Sequence, residues 1–593
     1  MAEAAVEFAE TQETRVAARK SLWFAPATFF VLLLGGVEGW YGKTAAGDVY
    51  GSDAVQYLDI ARAFERGDLH SALNPLWSQG YPALLALARP VFAAGNAGEW
   101  NSIRLVNFLI FACSWLCFAG FVRELLRGRR RTAVTMVGAV CIFLTAQLCM
   151  DQVSRVGPDQ LVAAIFFLVC GLLLRMLHDS GPRLSLLLGL ALGLGFLAKA
   201  IFLPLGCVSL LLVVVSLIGK RRKLSEILPA AGLFLVIVLG YGAALSHEFG
   251  SPTLGEAGSL NYAWHVDRLA KWVHWEGGID PADKAWPKPW IARFTHWQSD
   301  PPDFGRPIHP STMIGTAPTV YAFEGPVQAT YPPYFDAPYW YQGYKHPVRW
   351  RYQVVALGKN LGDLAVVVLK QPLICALIMS YLLLFWRRAD RAVLWSHLPG
   401  WLGRVWPAHL LAGAALVIYL PVHLEGRYIA AFLAVLLLMK LEAFSPVLER
   451  SPLQRKVVLA LIAVGFTAGL VKDQHEVWSR AVHRWKYQDN LEWREGAALR
   501  AVGFAPGSEI GVISWTPNVQ CDWAYLADVR ITSEIESPQD ERMFWELAPL
   551  DQNAVMLRFR QAGAVAVVTR DRLKDGMPGW EQVGSLPMWV YRF

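Results

Sequence analysis

Charge is what this sequence has least of. Asp, Glu, Lys and Arg make up 17% of its 593 residues, against 54% hydrophobic, whereas a soluble chain carries about a quarter charged residues. A water-soluble globular protein is excluded. Cysteine offers no framework. Cys113, Cys117, Cys141, Cys149, Cys170, Cys207 and Cys375 lie in or beside apolar runs, and Cys521 stands alone in a more polar tail. Neither a disulfide scaffold nor zinc spacing follows. His265, His274, His296, His309 and His346 lack tight metal spacing too. There is no internal repeat, no low-complexity tract and no glycine-rich phosphate loop. The net charge of +7 is dispersed in short basic blocks between apolar runs, so no nucleic-acid partner is expected. No small-residue cleavage site follows the first apolar run, which is read as a retained span.

What the chain does have is apolar runs of the roughly 20 residues that cross a bilayer. The expected class is a polytopic α-helical membrane protein of about eleven spans with a small C-terminal α/β domain. Arg15, Arg19 and Lys20 put the N-terminus in the cytoplasm, and Ser21 to Trp40 is span 1. Tyr81 to Ala94 is short and interrupted by Pro90, so it lies along the interface, while Ile103 to Val122 crosses and returns to the basic block Arg127 to Arg131. Spans 3 to 7 alternate up to Leu245, with the basic block Lys220 to Lys223 inside. Leu361 to Trp386 is span 8, Pro407 to Val422 span 9, Ile429 to Leu441 span 10 and Val457 to Val471 span 11. The resulting domains are a cytoplasmic segment 1–20, a membrane domain 21–472 with outer loops 41–102 and 246–360, and an external domain 473–593. In that tail, Gly511 to Ser514, Ala564 to Thr569, WEQVGS and MWVYRF read as strands, and Leu550 to Gly563 as a helix closed by glycine.

By this parity each outer turn carries ionisable residues at the edge of an apolar run. They are Asp53 after span 1, Arg155 and Asp159 before span 4, Lys199 between spans 5 and 6, and Glu425 and Arg427 before span 10. Ionisable groups at the hydrocarbon edge are costly and mark functional sites by default. Each has a plainer reading. Ser52 or Asp53 with Gln56 fits a capping box, and Asp159 fits a cap after Pro158. Lys199 fits a snorkelling lysine, and Arg427 a partner of Glu425. The aromatic residues of the long loop, from Trp264, Trp272, Trp275, Trp286, Trp290 and Trp297 to Tyr331, Tyr334, Tyr339, Trp340 and Tyr341, suit an interfacial belt and loop core better than sugar stacking.

The motifs SDAVQYLDIARAF and NPLWSQGYPALLAL after span 1, RVGPDQL, GLALGLGFLAKAIFLP and GRY occur in that order. The pattern resembles the GT-C glycosyltransferases, in particular the protein O-mannosyltransferase, aminoarabinose-transferase and RgtA-like group. The resemblance implies an inverting transfer of sugar from a polyprenyl-phosphate donor to a hydroxyl or amine of a lipid, glycan or protein, at the outer face of the plasma (inner) membrane. It implies Asp53, the acidic residue of the first loop, as the catalytic base and Asp159 as the acidic residue of the second, with a divalent metal at Asp53 and Asp159. Lys199 and Arg427 would contact the donor phosphate, and Tyr57, Arg155, Glu425 and Tyr428 would complete the substrate site. Where the group often has two adjacent acids, this chain has Ser52-Asp53. The competing class is a transporter or flippase of a lipid-linked or sugar substrate, which would place charges near the bilayer midplane and show paired repeats.

Overall fold

The computed structural model describes residues 24–42, 51–129, 132–179, 181–269, 275, 303–324, 328–346, 349–486, 490–514, 521–570 and 578–593. Arg15, Arg19, Lys20, Asp48, the side chain of Ser52, Arg130, Arg131, Trp272, His274, Trp286, Trp290, His296 and Trp297 lie outside the described residues.

A bundle of apolar helices forms the larger part. In chain order the longer helices are α1 (Phe24–Tyr41), α2 (Gly51–Arg66), α3 (Gly80–Ala88), α4 (Asn96–Leu125), α5 (Ala133–Leu144), α6 (Asp159–Met176), α7 (Pro182–Ala198), α8 (Phe202–Gly219) and α9 (Leu228–Phe249). After the long loop come α10 (Trp350–Lys370), α11 (Pro372–Trp386), α12 (Arg388–Tyr419), α13 (Gly426–Ala443) and α14 (Pro452–Val482). Their starts follow from local chemistry. Thr132 accepts the Thr135 N–H ahead of α5, and Ser451 accepts that of Gln454 ahead of α14. Pro182, Pro372 and Pro452 open α7, α11 and α14, where a missing N–H leaves nothing unpaired. The chain continues from α5 through one wider turn, Thr145–Met150, toward the site described below.

Among the described residues nine helices are long and apolar enough to cross a membrane, and this is an integral membrane protein. Helix α3, followed by the short turn Arg89–Val91, is too short to cross, as the sequence suggests. Span 8 needs correction. The run Leu361 to Trp386 is broken at Gln371, whose backbone is extended, because Pro372 can neither donate to the preceding turn nor accommodate it. Helix α10 is apolar enough to cross, yet its contacts hold it along one end of the bundle. Asn360 Nδ2 donates to Leu420 O (2.8 Å), Gln353 donates to Pro421 O, and Lys472 Nζ donates to Lys370 O (2.8 Å). Helix α11 descends from there against α14. A Cβ at Gly465 would stand 2.7 Å from Ala376 Cβ and 2.9 Å from Pro372 O, so only glycine lets these helices approach so closely.

The second part is a mixed sheet. Its strands are β1 (Thr312–Thr316), β2 (Thr319–Ala322), β3 (Ser508–Ile513), β4 (Val529–Ile535), β5 (Ala566–Thr569), β6 (Trp580–Gln582) and β7 (Trp589–Arg592), in the order β1-β2-β4-β3-β5-β7-β6. β3 lies parallel to both β4 and β5, with Ile510 opposite Ile531 and Ala566, and the remaining pairs are antiparallel. The strands and the helix expected in the tail are present, the helix as Pro549–Gln561 with Gly563 at φ +94° after it. Strand β4 and the β1–β2 hairpin are additions. The hairpin comes from the long loop and pairs onto β4 (Tyr321 opposite Glu534), so the sheet is built from both outer segments.

Sheet, long loop and α2 share one core. Ala54, Val55 and Leu58 of α2 are buried in the same cluster as Trp264, Tyr331 and Trp340 of the loop and Trp523 and Tyr525 of the tail. Polar bonds fix the join. Glu99 on α4 accepts Arg62 Nε (3.1 Å) and Tyr525 Oη (2.7 Å), and the Arg62 guanidinium lies 3.6 Å over the Tyr525 ring. Asp59 accepts the Thr330 N–H (2.9 Å) and hydroxyl (3.1 Å). Burial pushes the Asp59 carboxyl up to about 6 in spite of these bonds.

With α10 lying along the bundle end, an odd number of crossings separates Arg129 from Phe593. Reporter fusions at the two positions should therefore read out on opposite sides of the membrane. Readout on the same side would mean that α10 crosses.

Candidate active site

Five elements converge at the bundle end that faces the sheet: the start of α2, the turn before α6, the end of α7, the turn before α13, and the long loop. Asp53 lies within the first turn of α2 and not ahead of it. Its Oδ1 accepts from Tyr334 Oη (2.9 Å) and its Oδ2 from Arg427 Nη2 (3.3 Å). Asp159 is the first residue of α6, and no side-chain cap is made there. Its Oδ1 accepts from Lys199 Nζ at 2.6 Å, and Arg427 Nη1 stands 3.7 Å from its Oδ2. The capping readings of both aspartates give way to ion pairing.

Lys199 ends α7 with an extended backbone. Its ammonium lies 3.9 Å over the Tyr428 ring, so it points into the site and does not snorkel. Arg427 uses every edge of its guanidinium. Nε donates to Glu425 Oε2 (2.7 Å), and Nη2 is also 3.2 Å from Tyr428 Oη. Burial would raise the Glu425 carboxyl, but the His423 hydrogen bond (3.0 Å) and the charge of Arg427 hold it well below the usual carboxylate range. Glu425 is therefore a permanent anion.

Around this core the remaining candidates take plainer positions. Tyr57 is buried, edge-on to Trp77 and Tyr81 (ring centroids 5.3 and 6.0 Å). Its phenol is pushed well above 10 by burial and then by the charges of Asp159 and Asp53, which keeps it neutral. Arg155 faces Asp151 (3.9 Å) and touches neither Asp53 nor Asp159 among the contacts of the cluster. Asp151 is buried beside Asp159, and both effects push its carboxyl up to about 7. The sequence did not single out Tyr334, His423 or Asp151 for this site. His423 also stacks face to face on His265 at 3.7 Å.

The arrangement does not suit a metal at Asp53 and Asp159. Arg427 contacts both carboxylates, and among the described residues no group of three or more His, Cys, Asp or Glu side chains is placed to hold an ion. What the site offers is a partly exposed carboxylate, Asp53, beside two cations that both face the buried Asp159.

With this geometry in hand, the chain can be set beside known proteins. A family model described as dolichyl-phosphate-mannose-protein mannosyltransferase matches residues 80–241. The match bears out the resemblance to GT-C glycosyltransferases over α3 to α9, a stretch that holds Asp159 and Lys199 but neither Asp53 nor Arg427. No curated protein matches the chain. Solved structures similar in course include the apo oligosaccharyltransferase of Archaeoglobus fulgidus, with TM-score 0.43 and 12% identity over 93% of this chain and 70% of that one. ArnT from Cupriavidus metallidurans bound to undecaprenyl phosphate gives 0.41 and 12%, over 96% and 98%. The A. fulgidus enzyme in complex with Zn and sulfate gives 0.41 and 12%, over 91% and 67%.

Arg427→Gln should leave three carboxylates without their common partner. Asp53 and Glu425 are partly exposed and Asp159 keeps Lys199, so solvent screening reduces the loss to on the order of 1–3 kcal/mol, and thermal stability in detergent should fall. Arg427→Lys should fail to restore it, since one ammonium cannot reach three carboxylates at once. Wild-type stability of the lysine variant would contradict the shared-partner reading.

Proposed function

We propose that the protein is an inverting membrane glycosyltransferase that moves a sugar from a polyprenyl-phosphate donor to a hydroxyl or amine acceptor, with Asp53 as the base. The reading is supported most directly by one contrast. Asp53 and Asp159 share Arg427, but the Asp53 carboxylate is 36% exposed and that of Asp159 6%. Of the two aspartates, Asp53 is the one an acceptor can reach, and Asp159 is the anion that holds Lys199 and Arg427 in place.

The steps follow from that division. The lipid of the donor stays in the bilayer and its phosphate meets Lys199 and Arg427 at the bundle end. The acceptor oxygen attacks the anomeric carbon opposite the phosphate. The bond from that carbon to the phosphate oxygen breaks, and its electron pair leaves with the polyprenyl phosphate. The two cations stabilise the charge that accumulates there. Asp53 takes the acceptor proton. As the sugar acquires oxocarbenium character the attacking oxygen becomes more acidic, so a carboxylate is base enough. Tyr334 fixes one Asp53 oxygen and leaves the other on the Arg427 side.

The same reading puts the site and the sheet at the extracytoplasmic face of the plasma (inner) membrane, with a lipid, glycan or protein as acceptor. A role for Tyr57, Arg155, Glu425 and Tyr428 in this scheme is to shape and charge the pocket around the two substrates. A divalent ion, if the reaction needs one, would have to displace Arg427 from the two aspartates. A transporter is disfavoured because the charges gather at helix ends.

Asp53→Asn tests the proposal. The amide oxygen still accepts from Tyr334, so the protein should stay folded, while transfer from a polyprenyl-phosphate sugar should fall by about 100- to 10,000-fold. Activity unchanged beside unchanged thermal stability would remove Asp53 as the base. Lys199→Ala should weaken donor use more than acceptor use, by roughly tenfold or more, as expected for a charge-assisted contact worth about 1.5–3 kcal/mol. Unaltered donor kinetics would place the phosphate elsewhere.

A further inference from the structure

A second space lies behind the Asp53 cluster. It is a cavity of about 460 Å³ between the end of α9, the loop after α2 and the long loop, within the range of small-molecule sites, roughly 300–1,000 Å³. One tripeptide touches both. Tyr334 turns its hydroxyl to Asp53, and the next two residues, Phe335 and Asp336, line the cavity. Asn74 ties that tripeptide down, donating from Nδ2 to Phe335 O (2.7 Å), and Trp77 Nε1 donates to Tyr334 O (3.2 Å).

The lining is specific in character. Glu256 and Asp336 contribute carboxylates, Glu248 contributes one that is paired with the His70 imidazole, and no described Lys or Arg lines the cavity. Its rim is pre-set by internal bonds: Ser259 with His346 (2.9 Å), Gln342 with His309 (2.7 Å) and Thr253 with Glu256 (2.7 Å). The Tyr339 ring, stacked on His309 at 4.0 Å, offers an aromatic face. Asp336 is 3% exposed, and its Oδ1 has no hydrogen-bond partner among the described residues. A buried acceptor left unpaired costs stability unless a ligand satisfies it. Burial pushes this carboxyl up to about 6 and leaves it mostly ionised at neutral pH.

We propose that this cavity binds a sugar unit of the acceptor that carries no acidic group, with its hydroxyl or amino donors on Asp336 and Glu256 and its ring face on Tyr339. Among the described lining residues no lysine or arginine offsets the carboxylates, which disfavours phosphorylated sugars and favours neutral or amino sugars. That the sugar belongs to the acceptor rests on the transferase reading above; that the cavity binds it does not.

The test is binding, measured on the full-length Asp53→Asn protein in detergent by saturation-transfer NMR and calorimetry, so that transfer plays no part. Glucosamine and glucose are expected to bind, with glucose 6-phosphate at least tenfold weaker. Tyr339→Ala and Asp336→Asn should each weaken glucosamine binding at least tenfold, while Leu87→Ala, on an exposed face of α3, should leave it unchanged. If Asp336→Asn fails to fold, Tyr339→Ala decides. No binding, equal or tighter binding of the phosphorylated sugar, or indifference to Tyr339→Ala overturns the proposal. Sugar binding by a protein that shows no transfer in its wild-type form would sink the transferase reading and leave the cavity standing.

Discussion

One guanidinium organises the site. Arg427 contacts Asp53, Asp159 and Glu425, which come from three different segments of the chain. Three carboxylates gathered at the edge of a helix bundle would repel one another and would each lose solvation. A planar cation with donors on every edge is the group that lets them coexist. Lys199 supplies the second charge on Asp159, so the buried acid is neutralised from two sides and the exposed acid from one. That imbalance separates the two aspartates chemically, though both lie in the first turn of a helix.

The parts of this arrangement legible in the sequence are those that sit at the ends of apolar runs. Asp53, Asp159, Lys199, Glu425, Arg427 and Tyr428 each interrupt or border such a run, and parity along the chain puts them at one end of the bundle. Chain order alone could not show that they touch one another. Tyr334 was illegible for a different reason. It meets Asp53 across 281 residues of sequence and comes from a loop crowded with aromatic residues. The break of span 8 was hidden because Gln371-Pro372 interrupts an apolar run that remains long enough to cross. Strand β4 was hidden by polar residues in a core position. Ser533 and Glu534 are fully buried, and Glu534 accepts from Tyr331 Oη (2.9 Å). A buried, satisfied glutamate spoils the apolar pattern by which a strand is read.

The helix that carries Asp53 packs on the short α3 and draws further stiffness from polar ties at its far end. Arg62, about two and a half turns of helix further on, is gripped by Glu99 and Tyr525, and Asp59 is tied to Thr330. The sheet therefore sits behind α2 as a brace. Its edge hairpin, β1–β2, belongs to the same long loop that supplies Tyr334. Bundle, loop and sheet are thus tied to the same helix from two sides.

This connection bears on why a domain without a recognisable catalytic motif belongs to the chain. A base performs its task only if it is held within a fraction of an ångström of the productive geometry. A short amphipathic helix at a membrane boundary, next to water on one side, would fray at its first turn. Here the first turn holds Asp53, and two ties hold it: Tyr334 from the loop and Arg427 from the bundle. The sheet fixes the other end of the helix and the loop together, so the two ties keep a constant relation to each other. On the proposed assignment of Asp53 as the base, the tail serves the chemistry by limiting how far Asp53 can move.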